Sequence, residues 1–440
     1  MDPPEAEDDA GIHEASKPDP EPATPADPEL LALIDWVLDA LNAGRTPASA
    51  ELRQHFSSSF LTEVPEAELT AAFAQLSAEL RPIVRGERMV VGLSAVVQLD
   101  TGNGPWLLEI QVTAATPRKI DSLFLRPAPA AASSYEEVVE MLQPLAAHTQ
   151  LLVARVSSDG QCSPIHQHAP AERLAIGSAF KLWVLLALSQ HLEEDSSVDW
   201  TTRLPIRDAL KSLPSGVLQN QPNGTLLTLD EYASKMIEIS DNTATDHLID
   251  FIGRTAVEAA QTAARHGSPE ANIPWLMTRE LFVLKLVASD SERNAYRAAS
   301  VPERRALLEG YRSLPVSLAD AEGWTDPRAL DLEWFATPLD LCHVLGTLGT
   351  RASFSPSSQP LQILALNPGI AFDATRWTYA GYKGGSEPGV LNLSWLLQRS
   401  DGAWFSVVLT LNDSESPVDA TAAVRVALAL MPVVAAEGSP

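Results

Sequence analysis

Between Ile176 and Leu188 the chain passes from a small polar turn, Ile176-Gly177-Ser178-Ala179-Phe180-Lys181, straight into Leu182-Trp183-Val184-Leu185-Leu186-Ala187-Leu188. That apolar run is long enough for a helix and has no polar face, so the fold must bury it. Ser178 falls in its first turn, with Lys181 three residues later on the same face. A serine hydroxyl attacks an acyl carbon only if something takes its proton, and a desolvated lysine with a lowered pKa can do so. The helix N-terminus adds a backbone N–H and a positive dipole end beside the attacked carbonyl. The same spacing also describes a capping serine followed by a snorkelling lysine, so other parts of the chain must decide.

At 440 residues the chain exceeds one typical core, and two domains are expected. With 57 acidic against 31 basic residues the net charge is −26, which argues against nucleic-acid or anionic-membrane partners. Any anionic substrate would need a local basic pocket. Cys162 and Cys342 are far apart and read as two buried, unpaired thiols, with a single bridge between them as the alternative. His166 and His168 read as surface strand histidines, with no metal-ligand pattern around them. No metal or cofactor is expected. No apolar run reaches membrane-spanning length and the N-terminus lacks an export signal, so cytoplasmic residence is expected.

Residues 1–28 are rich in Pro, Asp, Glu and Ala and read as a disordered acidic tail. Order begins at Glu29, where Leu30, Leu31, Leu33, Ile34, Val37, Leu38 and Leu41 mark one face of a helix. Further helices are expected over Glu51 to Phe60 and from Pro65 to Leu80. Strands follow over Arg88 to Leu99, Trp106 to Thr113 and Ile120 to Leu125. Residues 29–127 thus form a small α+β domain, and 128–134 a linker. Residues 135–440 form a second domain. It opens with a helix and a two-stranded hairpin turning at Asp159-Gly160, continues as a mostly helical middle, and returns to strands over Trp377 to Lys383, Val390 to Gln398 and Trp404 to Leu411. A helix over about Pro417 to Leu430 closes it.

Two later signals strengthen Ser178. Ile239-Ser240-Asp241-Asn242-Thr243 joins two helical stretches. There the Ser240 hydroxyl can relay a proton from Lys181 to a leaving group. The Asn242 amide can hold a substrate carbonyl while bonding a lysine. Tyr382-Lys383-Gly384-Gly385-Ser386 ends a strand. Glycines such as Gly385 let a ligand backbone approach the strand edge, Lys383 offers positive charge to a carboxylate, and Ser386 offers a hydroxyl. The Ser386 N–H, with that of Ser178, would make an oxyanion hole.

Ser-x-x-Lys, Ser-Asp-Asn and Lys-Gly-Gly-Ser, in that order and on those element types, resemble the motifs of penicillin-recognising serine hydrolases. Residues 135–440 resemble the class A β-lactamase and penicillin-binding-protein fold, which implies an antiparallel sheet flanked by helices with an all-helical subdomain. The first domain resembles nuclear-transport-factor-two-like (NTF2-like) α+β modules. The whole chain is similar to the two-domain serine hydrolases encoded in clavulanic-acid biosynthesis clusters. The resemblance implies Ser178 as nucleophile, Lys181 as base and Ser240 as proton shuttle. It implies substrate contacts from Asn242, Lys383, Gly385 and Ser386, with Arg425 on the last helix as a second carboxylate anchor.

This sequence departs from the family in three places. Ser240 stands where class C enzymes carry tyrosine, which favours the class A-like branch. Gly384 stands where threonine is usual. The Glu-x-x-Leu-Asn pattern of the deacylating glutamate is absent: the region reads Asn272-Ile273-Pro274-Trp275-Leu276-Met277, and nearby Glu280 reads as the start of a helix. The implied activity is an acyl-serine hydrolase of esters or amides, cephalosporin-esterase-like, with poor β-lactam turnover. The alternatives are a true class A-like β-lactamase using Glu280 or Lys181 for deacylation, and a largely non-catalytic binding or biosynthetic accessory protein. Arg85 and Arg88 are candidates to reach the pocket from the first domain.

Overall fold

The computed structural model describes residues 27–438 except 92, 129–130, 214, 312–313, 315–316, 318–319, 322–323 and 371, so the acidic tail expected over 1–28 falls almost wholly outside the described residues. Helix α1 (Pro28–Asn42) starts where Asp27 caps the Glu29 and Leu30 amides, and it buries the predicted apolar face except Leu31, which is only half-buried. The second expected helix is two, α2 (Ser49–His55) and α3 (Ser58–Glu63), because Ser57 turns out of one and caps the Phe60 amide of the other. Helix α4 (Glu66–Leu80) follows. The four helices pack on an antiparallel meander of β1 (Ile83–Val91), β2 (Ser94–Thr101), β3 (Gly104–Val112) and β4 (Ile120–Pro127). Sequence reading merged the end of β1 and β2 into one strand. The two pair as a hairpin, Val91 opposite Ser94, and apolar residues continue through the reversal, which hides it from periodicity.

The second unit begins with α5 (Tyr135–Leu142), β5 (His148–Val156) and β6 (Cys162–His168), and the two-residue β7 (Leu174–Ala175) leads into the Ser178 turn. Helix α6 (Lys181–Glu194) is buried from Lys181 through Ser189, as its lack of a polar face requires. The middle holds a small hairpin, β8 (Arg203–Pro205) with β9 (Leu226–Thr228). Helices α7 (Leu229–Glu238), α8 (Asn242–Ile252), α9 (Arg254–Ala263), α10 (Thr278–Phe282), α11 (Asp290–Ala298) and α12 (Val301–Tyr311) follow. Strand β10 (Phe335–Ala336) pairs with β7, and α13 (Pro338–Arg351) and α14 (Gln359–Leu364) precede β11 (Trp377–Glu387), β12 (Val390–Arg399) and β13 (Trp404–Asn412). Helix α15 (Ala420–Ala436) closes the unit.

The main sheet runs β11-β12-β13-β5-β6, antiparallel throughout, with β11 at one edge. One face packs on α6 and α13, the other on α5 and α15, so β12 and β13 are buried along nearly their whole length. The first unit docks on the α15 side. Val96 and Leu107 join the apolar cluster there, and the buried Glu109 carboxylate accepts from Arg126 at 2.5 Å and from Arg425 at 2.6 Å.

Three expectations are corrected here. Cys162 and Cys342 are joined in a disulfide, with 6.3 Å between Cα atoms: the start of β6 lies against α13, a proximity that 180 residues of separation concealed. Arg425 is not a carboxylate anchor beside Ser178, because α15 carries it on the opposite side of the sheet, where Glu109 neutralises it. Arg85 bonds Asp35 of α1 within its own unit, and Arg88 is exposed on β1, so neither reaches the pocket. His166 stacks on Tyr135 at 4.9 Å, and His168 Nε2 lies 3.3 Å from the Thr149 hydroxyl. No helix among the described residues is long and apolar enough to cross a membrane.

Candidate active site

Ser178 sits half-buried in the single helical turn 177–180 that enters α6. Gly177 precedes it at φ +48°, a conformation that favours glycine, and a Cβ there would come within 3.1 Å of the Ser386 amide. Opposite, Gly385 of β11 lies so close that a Cβ would meet Ile176 O and stand 2.5 Å from the Ser178 amide and 2.7 Å from the Ala179 amide. The two glycines therefore let the edge strand and the nucleophile turn approach until the amides of Ser178 and Ser386 are neighbours. This is the arrangement a pair of donors to one oxygen requires.

Lys181 is wholly buried, and its Nζ is surrounded by oxygens. Ser240 O lies at 2.6 Å, Asn242 Oδ1 at 2.7 Å, Ser240 Oγ at 3.0 Å and Ser178 Oγ at 3.1 Å. The two shortest partners are carbonyl oxygens, which only accept. A neutral amine has two N–H donors and one lone pair, so those carbonyls take both donors and the lone pair remains for a hydroxyl proton. Burial holds the Lys181 pKa well below the ordinary lysine value. The charge of Lys383 lowers it further, and Asp241 and Asp246 oppose in part.

Ser240 reaches this position through a left-handed backbone, φ +59°, which turns its carbonyl as well as its hydroxyl toward Lys181. The loop before α7 holds it there: Ser215 Oγ donates to Ser240 O at 2.6 Å, and the Asn242 amide donates to Ser215 O at 3.1 Å. Asp241 caps Ala244 and accepts from the Val217 and Leu218 amides. Lys383 Nζ lies 3.1 Å from Ser240 Oγ and 2.6 Å from Gly384 O, and burial lowers its pKa to about 7. The Ser386 side chain is exposed at the open edge of β11. A side chain at Gly384 would collide with the Tyr382 hydroxyl, so that ring occupies the room the usual threonine would need.

Ser178, Lys181, Ser240, Asn242, Lys383, Gly385 and Ser386 thus converge, and Arg425 does not. Sequence reasoning missed Ser215, which sits in a segment read only as a loop. It also missed Asp246, one turn behind Asn242 on α8. The Asp246 carboxylate accepts from Thr278 N at 2.7 Å, Thr278 Oγ1 at 2.8 Å and Arg279 N at 3.0 Å, and burial raises its pKa to about 7. Helical spacing from Asn242 was the available signal. Glu280 lies in the first turn of α10. Its carboxylate caps the Met277 amide at 2.9 Å and grips Arg254 at 2.5 and 2.9 Å, with 1% of its side chain exposed.

Residues 136–310 match the β-lactamase enzyme family, and this span contains Ser178, Lys181, Ser240 and Asn242. Residues 25–116 match the family described as ORF 12 gene product N-terminal. No curated protein sequence matches the chain. Among solved structures, a β-lactamase from Sphaerobacter thermophilus DSM 20745 is 21% identical at a TM-score of 0.48, covering 68% of this chain and 97% of its own. A class A β-lactamase representative from Bacteroides cellulosilyticus DSM 14838 is 15% identical at 0.45, covering 68% and 95%. PBP-A is 16% identical at 0.43, covering 70% and 97%.

Proposed function

We propose that this chain, whose residues 136–310 match the β-lactamase enzyme family, is an acyl-serine hydrolase of esters or amides, β-lactam-related compounds included, with slow turnover of β-lactams themselves. One observation carries the reading: the desolvated Lys181 amine, its donors spent on two carbonyls, lies 3.1 Å from the Ser178 hydroxyl. In the proposed reaction Ser178 Oγ attacks the acyl carbon while its proton passes to Lys181. The oxyanion is held by the Ser178 and Ser386 amides. Ser240 Oγ, in reach of both Lys181 and Lys383, hands the proton to the departing alcohol or amine. Asn242 and the β11 edge at Gly385 bind the substrate's amide groups, and Lys383 with Ser386 binds a carboxylate. Water then cleaves the acyl-serine, releasing the acid and restoring the hydroxyl.

Slow β-lactam turnover follows from where the acids lie. The segment from Asn272 to Met277 contains none, Glu280 is committed to Arg254 and its own helix cap, and Asp246 to Thr278 and Arg279. With neither of these carboxylates free to activate water, a bulky acyl-enzyme persists. The first unit's helices and meander fit an NTF2-like module. The pairing of the two matched families in one chain supports kinship with the two-domain serine hydrolases of clavulanic-acid biosynthesis clusters.

The test is mass spectrometry of the intact protein with a cephalosporin, beside p-nitrophenyl acetate turnover, for wild type and Ser178→Ala. A persistent adduct on the Ser178 peptide and Ser178-dependent ester turnover are expected. Rapid nitrocefin hydrolysis without an adduct would favour a true β-lactamase, and ligand binding without acylation an accessory protein.

A further inference from the structure

Directly after the Lys383-to-Ser386 motif, Glu387 turns its side chain to the same face of β11 as Lys383 and Gly385. There it bonds Lys285, which is wholly buried and also donates to Glu333 Oε1 at 2.6 Å. Lys285 lies in a π-helical turn, Val283–Val287, that follows α10, an irregularity that aims its ammonium inward. Nothing in the proposed reaction uses the trio, yet three ionisable side chains are buried together, an arrangement costly unless each is held by the others.

The two acids lie at the ends of the segments that grip the nucleophile turn. On one side, Glu333 accepts from the Trp334 amide at 3.0 Å, and Trp334 O accepts from the Ile176 amide at 3.0 Å. The Trp334 ring stacks on Phe180 with centroids 3.6 Å apart. On the other side, Glu387 follows Gly385 and Ser386, whose backbones touch Ile176 O, Gly177 and the Ser178 amide. The turn is held between these segments, and Lys285 ties one to the other. We infer that Lys285 is a positioning residue for the acylation step: by clamping Glu333 and Glu387 it fixes the separation of the Ser178 and Ser386 amides, and so the width of the oxyanion hole.

This inference rests on Ser178 being acylated as proposed. A hole even slightly too wide binds the ground-state carbonyl much as before and loses the tetrahedral oxyanion. Lys285→Met is therefore expected to lower the p-nitrophenyl acetate acylation rate on the order of 10- to 100-fold, with KM changed less than about threefold. Its affinity for a phenylboronic acid, which forms a tetrahedral adduct on serine, should fall in parallel. Glu387→Ala, which frees only the β11 end and leaves Lys285 with Glu333, should do the same, while Glu387→Gln, which keeps a hydrogen-bonding amide there, should restore most of the rate. If wild type shows no Ser178 acylation, the proposed function has failed. If wild type acylates and a folded Lys285→Met or Glu387→Ala acylates equally fast, the clamp is refuted. Loss of folding in both variants would also refute it, making the trio a stability element.

Discussion

The Ser178 amide and Gly385 are packed so closely that one added methyl on the glycine would stand 2.5 Å from the amide nitrogen. An edge strand and a helix-opening turn share the site by backbone contact, and side chains play no part in that approach. Gly385→Ala is accordingly expected to force β11 away from Ser178 and cut acylation kcat/KM about 100-fold, comparable to removing one oxyanion donor. Gly310→Ala on α12, where a Cβ meets nothing within 4 Å, should leave the rate unchanged. Stopped-flow measurement of ester acylation compares the two.

The pH profile follows from the two lysines. Lys181 takes a proton only when neutral, so acylation should rise with pH through its depressed pKa. Lys383 holds a carboxylate only when charged, and burial has brought its pKa down to about 7. Since kcat/KM reports the free enzyme, a carboxylate-bearing substrate should show a falling limb near pH 7 that p-nitrophenyl acetate lacks. If kcat/KM for the carboxylate substrate still climbs above pH 8, Lys383 is not its anchor.

Arg425 is a domain-interface residue, and its loss should be felt in stability and hardly in activity. Arg425→Ala leaves the buried Glu109 carboxylate with Arg126 alone. A cost of roughly 1–3 kcal/mol is expected, below that of fully unpairing a buried charge because one partner stays. Urea unfolding measures the cost, and ester kcat/KM should remain within about threefold of wild type. A large rise in KM for carboxylate substrates would restore Arg425 as an anchor.

Cys342→Ser opens the bridge to Cys162 between β6 and α13. A destabilisation of about 2–4 kcal/mol is expected, since the bond closes a long loop in the unfolded chain. Thiol titration of the denatured, non-reduced wild type should find no free thiol. Two free thiols would show the bond unformed.

The sequence determined a good deal alone. An apolar run with no polar face had to become a buried helix, so Ser178 and Lys181 were fixed to one turn at its mouth by three-residue spacing. The Ser-Asp-Asn junction and the glycine-bearing strand end were legible because caps and close backbone approaches restrict residue type locally. Tertiary structure decided what local rules do not reach. It put Arg425 across the sheet from Ser178, because a helix face is fixed by what packs on it. It joined Cys162 to Cys342, and it gathered Lys285, Glu333 and Glu387 from three segments that show no common pattern along the chain. Spacing in sequence reports neighbours within one element. Pairing between elements depends on the sheet order β11-β12-β13-β5-β6 and on which of its two faces each helix covers, and those follow only from packing the whole chain.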